Sequence, residues 1–392
     1  MRLKFSLVAA ASITCVGLVA GCSTASTDTE SSPSTVGTTT SQSPAADPTR
    51  DPQTLNYGCA EELLTNLTVR QKLAQMLNVG VRGTADALSI VQREQIGGIF
   101  IGSWTDEKML SNREVQQVSV ASPLPLMVTI DEEGGRVSRV AKILGPDPAA
   151  RIVAQTMTVE QAYEMALERG RGLAELGITV NYAPVVDVSS QPANSVIGDR
   201  SFSDDPAVVT AYADAYARGM RDAGVLPVIK HFPGHGSASG DSHTGAVTTP
   251  PFEQLRDSDL VPFRELVDTG VAVMLGHLEV PGLTEPNIPA SVSHNAVSLL
   301  RAGVGYGAAP FDGLIFTDDL SGMRAITDRY DIADAVAAAL DAGVDIALWL
   351  TTDEVPRVLD HLESLVASGE LALTRVDEAV ATIASAKGLL PC

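Results

Sequence analysis

The residues of this chain best suited to chemistry crowd into one short block, Lys230-His231-Phe232-Pro233-Gly234-His235-Gly236 followed by Asp241-Ser242-His243. Three of its six histidines fall there. A lone histidine is usually a structural residue satisfied by its neighbours, but this density asks for another account. Histidines and an aspartate are ordinary zinc ligands, yet the spacing fits no familiar zinc pattern and no helix can run through Pro233-Gly234. Metal is therefore the weaker reading, and no metal or cofactor is expected. Asp241 can instead orient and charge-balance the imidazole of His243, a side chain that changes charge near neutrality. The pair is expected to be an acid/base dyad.

A second motif, Phe311-Asp312-Gly313-Leu314-Ile315-Phe316-Thr317-Asp318-Asp319-Leu320, delivers two consecutive acids to the end of an apolar run. Alternation along a strand points them in different directions, so one can face a site. Asp318, first off the strand, is the better nucleophile; Asp319 or Ser321 is suited to capping the next helix. The third motif is Asp131-Glu132-Glu133-Gly134-Gly135-Arg136-Val137-Ser138-Arg139, also directly after an apolar run. Its glycines allow close backbone approach to a ligand, and its carboxylates and arginines offer the directional hydrogen bonds that sugar hydroxyls need. Taken alone, a salt-bridged turn explains it equally well.

These motifs need a frame. Short apolar runs at 76–79, 96–101, 126–130, 178–186, 225–231, 271–275, 313–317 and 344–350 alternate with longer amphipathic stretches such as 206–223 and 331–340. That is the pattern of a parallel sheet with crossover helices. Eight such units predict a single (β/α)₈ barrel of the TIM type. A doubly wound open sheet makes the same alternation, but its phosphate-binding glycine fingerprint does not follow the first strand. Asp131, Asp187, His231, His277 and Asp318 all fall at or just past the C-terminal ends of predicted strands, the rim where barrel enzymes carry out their chemistry.

The N-terminus reads as a targeting segment. Arg2 and Lys4 precede an apolar run ending in Leu18-Val19-Ala20-Gly21-Cys22. It is too short for a stable membrane span and resembles a bacterial lipobox, with Cys22 acylated. Residues 1–21 are expected to be a signal peptide, and 22–52 a disordered Ser/Thr/Pro linker that cannot bury enough surface to order itself. The catalytic barrel is expected over 53–392, anchored to the outer face of the cell membrane and facing the wall. Of four cysteines, Cys15 lies in the segment removed and Cys22 takes lipid. Cys59 and Cys392 remain, either paired in an oxidising compartment or as two free thiols; the pairing is the expectation. A net charge of −21 repels nucleic acid, which is excluded as a partner.

Five segments, taken in order, resemble the motifs of glycoside hydrolase family 3 β-N-acetylglucosaminidases. They are Asp131-Glu132-Glu133-Gly134-Gly135-Arg136-Val137, Asn181-Tyr182-Ala183-Pro184-Val185-Val186-Asp187-Val188, Ile197-Gly198-Asp199-Arg200-Ser201-Phe202, the Lys230 to His243 block, and Thr317-Asp318-Asp319-Leu320. The resemblance runs from about Gln53 to the C-terminus. It implies Asp318 as nucleophile, His243 paired with Asp241 as general acid/base, and substrate contacts at Asp131, Arg139, Arg200, Lys230 and His231. It departs at Glu132, where the family more often has Gln, and at Ser321-Gly322-Met323, where a Ser-Met ending is commoner.

The expected activity is retaining removal of terminal N-acetylglucosamine from peptidoglycan fragments by a monomer. Three alternatives stay open: release of the sugar onto phosphate, a β-glucosidase of the same family, and a lipid-anchored two-lobed sugar-binding protein.

Overall fold

A computed structural model of the chain describes residues 60–390. The apolar runs fold as short strands: β1 (Leu77–Gly80), β2 (Gly98–Ile101), β3 (Met127–Ile130), β4 (Val180–Asn181), β5 (Leu226–Phe232), β6 (Val247–Thr248), β7 (Ala272–Leu275), β8 (Leu278–Glu279), β9 (Ile315–Thr317) and β10 (Ala347–Trp349). Eight of them pair in parallel in the order β10-β1-β2-β3-β4-β5-β7-β9. The ends of that order meet: Phe316 bridges Ile346 in parallel, and Thr317 N–H donates to the Ile346 carbonyl at 3.0 Å. The sheet is therefore closed, and the open doubly wound alternative is excluded. The remaining two strands, β6 and β8, form a small parallel sheet of their own that ties the loop after β5 to the loop after β7.

Helices cross between the strands, and their ends follow local chemistry. Thr68 and Gln71 form a capping box at the start of helix Val69–Gln75. Asp205 accepts from Ala207 N–H ahead of helix Pro206–Asp222, with proline in the first turn. Asp331 accepts from the N–H groups of Ala333 and Asp334 and starts helix Ile332–Ala342.

The barrel interior is filled, as a barrel of this strand number requires. The rings of Phe100, Tyr182 and Phe316 stand in sequence across it, with centroids 5.8 and 5.4 Å apart. Beside them Asn78 Nδ2 donates to Thr129 Oγ1 at 2.7 Å and also bonds the Tyr182 hydroxyl, which ties these three buried side chains together.

Two differences from the sequence reading have plain causes. The run 178–186 keeps regular strand pairing only at Val180–Asn181, because Pro184 brings no N–H to the ladder. It still follows β5 irregularly, with Val186 N–H donating to the Lys230 carbonyl at 2.8 Å. Asp319 and Ser321 cap no helix; Asp319 accepts from Ser321 N–H and Gly322 N–H and holds a turn. Cys22, Cys59, Cys392 and the 22–52 linker lie outside the described residues. No helix of the described residues is long and apolar enough to cross a membrane.

Candidate active site

The C-terminal ends of β3, β4, β5 and β9 converge on one cavity of about 190 Å³, lined by Asp131, Glu133, Arg139, Arg200, Lys230, His231, His235, Ser242, His243, Asp318 and Met323, with Val137 and Val196. Every sequence-predicted site residue within the described part lines it except Asp241, which stands behind His243.

β5 supplies two neighbouring residues to this cavity. Regular alternation would send Lys230 and His231 to opposite faces. The register between β5 and β7 shifts between Lys230 and Phe232, and both side chains reach the mouth. Lys230 Nζ lies 2.6 Å from both Asp131 Oδ1 and Glu133 Oε1. Glu133 in turn takes a bidentate pair from Arg200, at 2.8 Å for each bond. Arg139 closes the row, 3.9 Å from Asp131 Oδ2, with its Nε buried and unpaired. One wall is thus a line of alternating charge, Arg139, Asp131, Lys230, Glu133, Arg200. Burial opposes the Glu133 charge, but Arg200 and Lys230 outweigh it and hold the carboxyl far below its usual range. Burial likewise opposes the Lys230 charge, and Asp131 and Glu133 overcome it, so the ammonium is kept.

Glu132 points the other way. Its carboxylate is buried and accepts from Ser138 Oγ at 2.8 Å, Arg139 N–H at 2.8 Å and Val140 N–H at 3.3 Å. This folds the loop back and delivers Arg139 to the cavity. Gly134, at φ +85°, sits where a Cβ would meet the Pro148 carbonyl at 2.6 Å, so only glycine turns the chain there.

The opposite wall carries Asp318. Burial works against its charge, and His231, His277 and Lys230 outweigh it, leaving the carboxyl below the ordinary range. Its Oδ2 lies 4.0 Å from His231 Nε2. His231 is oriented from behind by Asp187, which is wholly buried and 2.7 Å from Nδ1. His277, another strand-end residue, stays out of the cavity lining; its Nε2–H donates to the Asp319 carbonyl at 2.8 Å and so steadies the turn after Asp318.

The loop after β5 brings the dyad over this wall. Gly236 passes so close to Val188 that a Cβ would fall 2.0 Å from its carbonyl oxygen. Further on, the Ser242 carbonyl accepts from Ala325 N–H at 3.0 Å, docking the loop on the segment that follows Asp318. Asp241 Oδ1 lies 2.8 Å from His243 Nδ1 and accepts His243 N–H at 3.0 Å. The imidazole is largely exposed, with 59% of its side-chain surface open. Burial tends to raise the Asp241 carboxyl, but the bonds from His243 hold it below its ordinary value. No group of three histidines, cysteines or acids placed to hold a metal ion occurs among the described residues.

A family model described as the glycosyl hydrolase family 3 N terminal domain matches residues 68–386. The chain belongs to glycosyl hydrolase family 3. It is 57% identical over 327 residues to the β-hexosaminidase LpqI of Mycobacterium tuberculosis, covering 83% of this chain and 84% of that one. Among solved structures it resembles a family 3 glycosyl hydrolase from Mycobacterium smegmatis, with TM-score 0.82 and 57% identity over 83% of this chain and 99% of that one. It also resembles a family 3 β-N-acetylglucosaminidase from a Paenibacillus species, with TM-score 0.77 and 33% identity over 82% and 62% of the two chains. Membership of this hydrolase family, on one closed barrel, removes the two-lobed sugar-binding protein from consideration.

Within this family 3 barrel, three residues of the site had no role assigned from the sequence: Glu133, Asp187 and His235. Glu133 was visible as the third of three consecutive acids, facing a chain with several cations still to pair. Asp187 was visible as a polar residue at a strand end. His235 stood in the histidine block with nothing to distinguish it.

Proposed function

We propose that this chain is a retaining exo-β-N-acetylglucosaminidase that removes non-reducing terminal N-acetylglucosamine from peptidoglycan fragments. The observation that carries the reading is the meeting of Asp318 and His243, the latter backed by Asp241, on one cavity whose other wall is a row of alternating charges. The names of the relatives, β-hexosaminidase and β-N-acetylglucosaminidase, support the same sugar class.

In the first step an Asp318 oxygen attacks the anomeric carbon, the glycosidic bond breaks, and His243 gives its proton to the leaving oxygen. In the second, neutral His243 takes a proton from water, the water oxygen bonds to the anomeric carbon, and the Asp318 ester bond breaks. Two displacements retain configuration. Asp241 sets the tautomer of His243 and stabilises the imidazolium. Asp131, Arg139, Arg200, Lys230 and His231 hold the sugar hydroxyls. An acyl anchor at Cys22 would keep the barrel at the outer membrane face, close to wall fragments.

The test is hydrolysis of an aryl N-acetylglucosaminide by the wild type and Asp318→Asn, with the anomeric form of the first product followed by NMR. Release of the β-anomer by the wild type and none by the variant is expected. Initial release of the α-anomer refutes the two-displacement course, and unimpaired turnover by the variant refutes the nucleophile. Repeating the assay in phosphate separates hydrolysis from phosphorolysis, because the latter yields a sugar 1-phosphate.

A further inference from the structure

One buried carboxylate presents two imidazoles to the cavity. Asp187 Oδ2 lies 2.7 Å from His231 Nδ1, while its Oδ1 accepts the backbone N–H of His231 at 3.2 Å and of His235 at 2.7 Å. The His235 ring stands edge-on to that of His231, with centroids 5.8 Å apart, and lines the cavity beside Asp318, Ser242 and His243. The residue is only 5% exposed. Its Nε2 is buried and has no hydrogen-bond partner. Buried polar atoms are paired in nearly all folded proteins, and the exceptions ask for a reason. Burial, opposed by Asp187, lowers the pKa of this imidazole and favours its neutral form, in which Nε2 either donates or accepts one hydrogen bond according to the tautomer.

We propose that His235 Nε2 is a sugar-binding atom, forming one hydrogen bond with an uncharged substituent, a hydroxyl or the acetamido group, of the sugar ring held over Asp318. The inference rests on the N-acetylglucosaminidase reading and adds a contact to it. The geometry favours a ligand partner over a purely structural role: the turn is already anchored through the His235 backbone N–H, which leaves the side chain free to serve the cavity.

The experiment uses the whole enzyme with its histidines labelled with ¹⁵N. On addition of N-acetylglucosamine, the His235 Nε2 resonance is expected to shift with the same saturation curve as binding measured by calorimetry. Glucose, which has the hydroxyls without the acetamido group, identifies the partner: a shift with both sugars points to a hydroxyl, a shift with N-acetylglucosamine alone to the acetamido. His235→Phe, which keeps the backbone anchor and a planar ring, should weaken N-acetylglucosamine binding about three- to tenfold, the loss of one neutral hydrogen bond. It should raise KM on the aryl glycoside more than it lowers kcat, and His235→Gln should recover part of the loss. An unmoved resonance at saturating sugar, or variants that bind as tightly as the wild type, overturns the contact. If the wild type binds no N-acetylglucosamine at all, the sugar reading itself falls and takes this contact with it.

Discussion

Glu133→Gln probes the charged wall of the cavity. The Glu133 side chain is 5% exposed and receives two bonds from Arg200 at 2.8 Å and the Lys230 ammonium at 2.6 Å. Glutamine keeps the shape, removes the charge, and puts an NH₂ group where one acceptor stood. Lys230 retains Asp131, so its ammonium is still compensated. Arg200 keeps one glutamine oxygen and the Val196 carbonyl at 3.2 Å, and it loses its directly bonded carboxylate, with Asp131 and Asp187 as the remaining nearby acids. Breaking a buried pair from one side costs about 3–5 kcal/mol. With Lys230 still paired, a loss near the lower end, about 3 kcal/mol, is expected in urea unfolding at pH 7.

The pH dependence has a definite sign. The folded Glu133 carboxyl lies far below its unfolded value, held there by Arg200 and Lys230 against burial. Its contribution is complete above the unfolded glutamate pKa of about 4.3 and is lost as pH falls below it. The gap between wild type and variant should therefore be constant from pH 8 to 5 and narrow in acid. A gap under about 1 kcal/mol at pH 7, below the range for breaking a buried pair, or one that widens in acid, would refute the assignment of Glu133 as the centre of the ion row.

His243→Ala should lose far more activity on natural glycosides than on aryl glycosides with good leaving groups; equal loss on both would remove its role as acid. His231→Asn should move the acid limb of the kcat/KM profile upward, since His231 does most among its neighbours to oppose burial and hold Asp318 low; an unmoved limb counts against that. Lys387 tucks its ammonium among neutral oxygens, donating to Gln75 Oε1 at 2.8 Å and the Gly97 carbonyl at 3.0 Å, and burial lowers its pKa to about 7. Its charge disfavours the fold below the unfolded lysine value of about 10.4, most of all below 7. Lys387→Met should stabilise the protein at pH 6 and lose that advantage as pH approaches 10, measured by urea unfolding; destabilisation at pH 6 would contradict it.

The sequence by itself determined the eight barrel strands, though not the small β6–β8 sheet, because apolar runs between turn residues have few other uses, and it determined which residue types crowd the strand ends. It also showed the ordered motifs of family 3 and singled out Asp318, Asp241 and His243 as the candidates for the chemistry. Local patterns ended there. Alternation puts Lys230 and His231 on opposite faces, and only the register shift against β7 turned both to the mouth. The partners of the charged wall are far apart along the chain, Arg200 67 residues from Glu133 and Lys230 99 from Asp131, so no window of sequence reveals which acid meets which cation. Closure of the barrel rests on β10 returning to β1, a contact between the two ends of the fold. His235 is distinguished from its neighbouring histidines by a ring nitrogen that is both buried and unpaired, a property that exists once the surrounding residues have packed. Residue type and local order decided what chemistry was available; long-range pairing decided which atoms carry it.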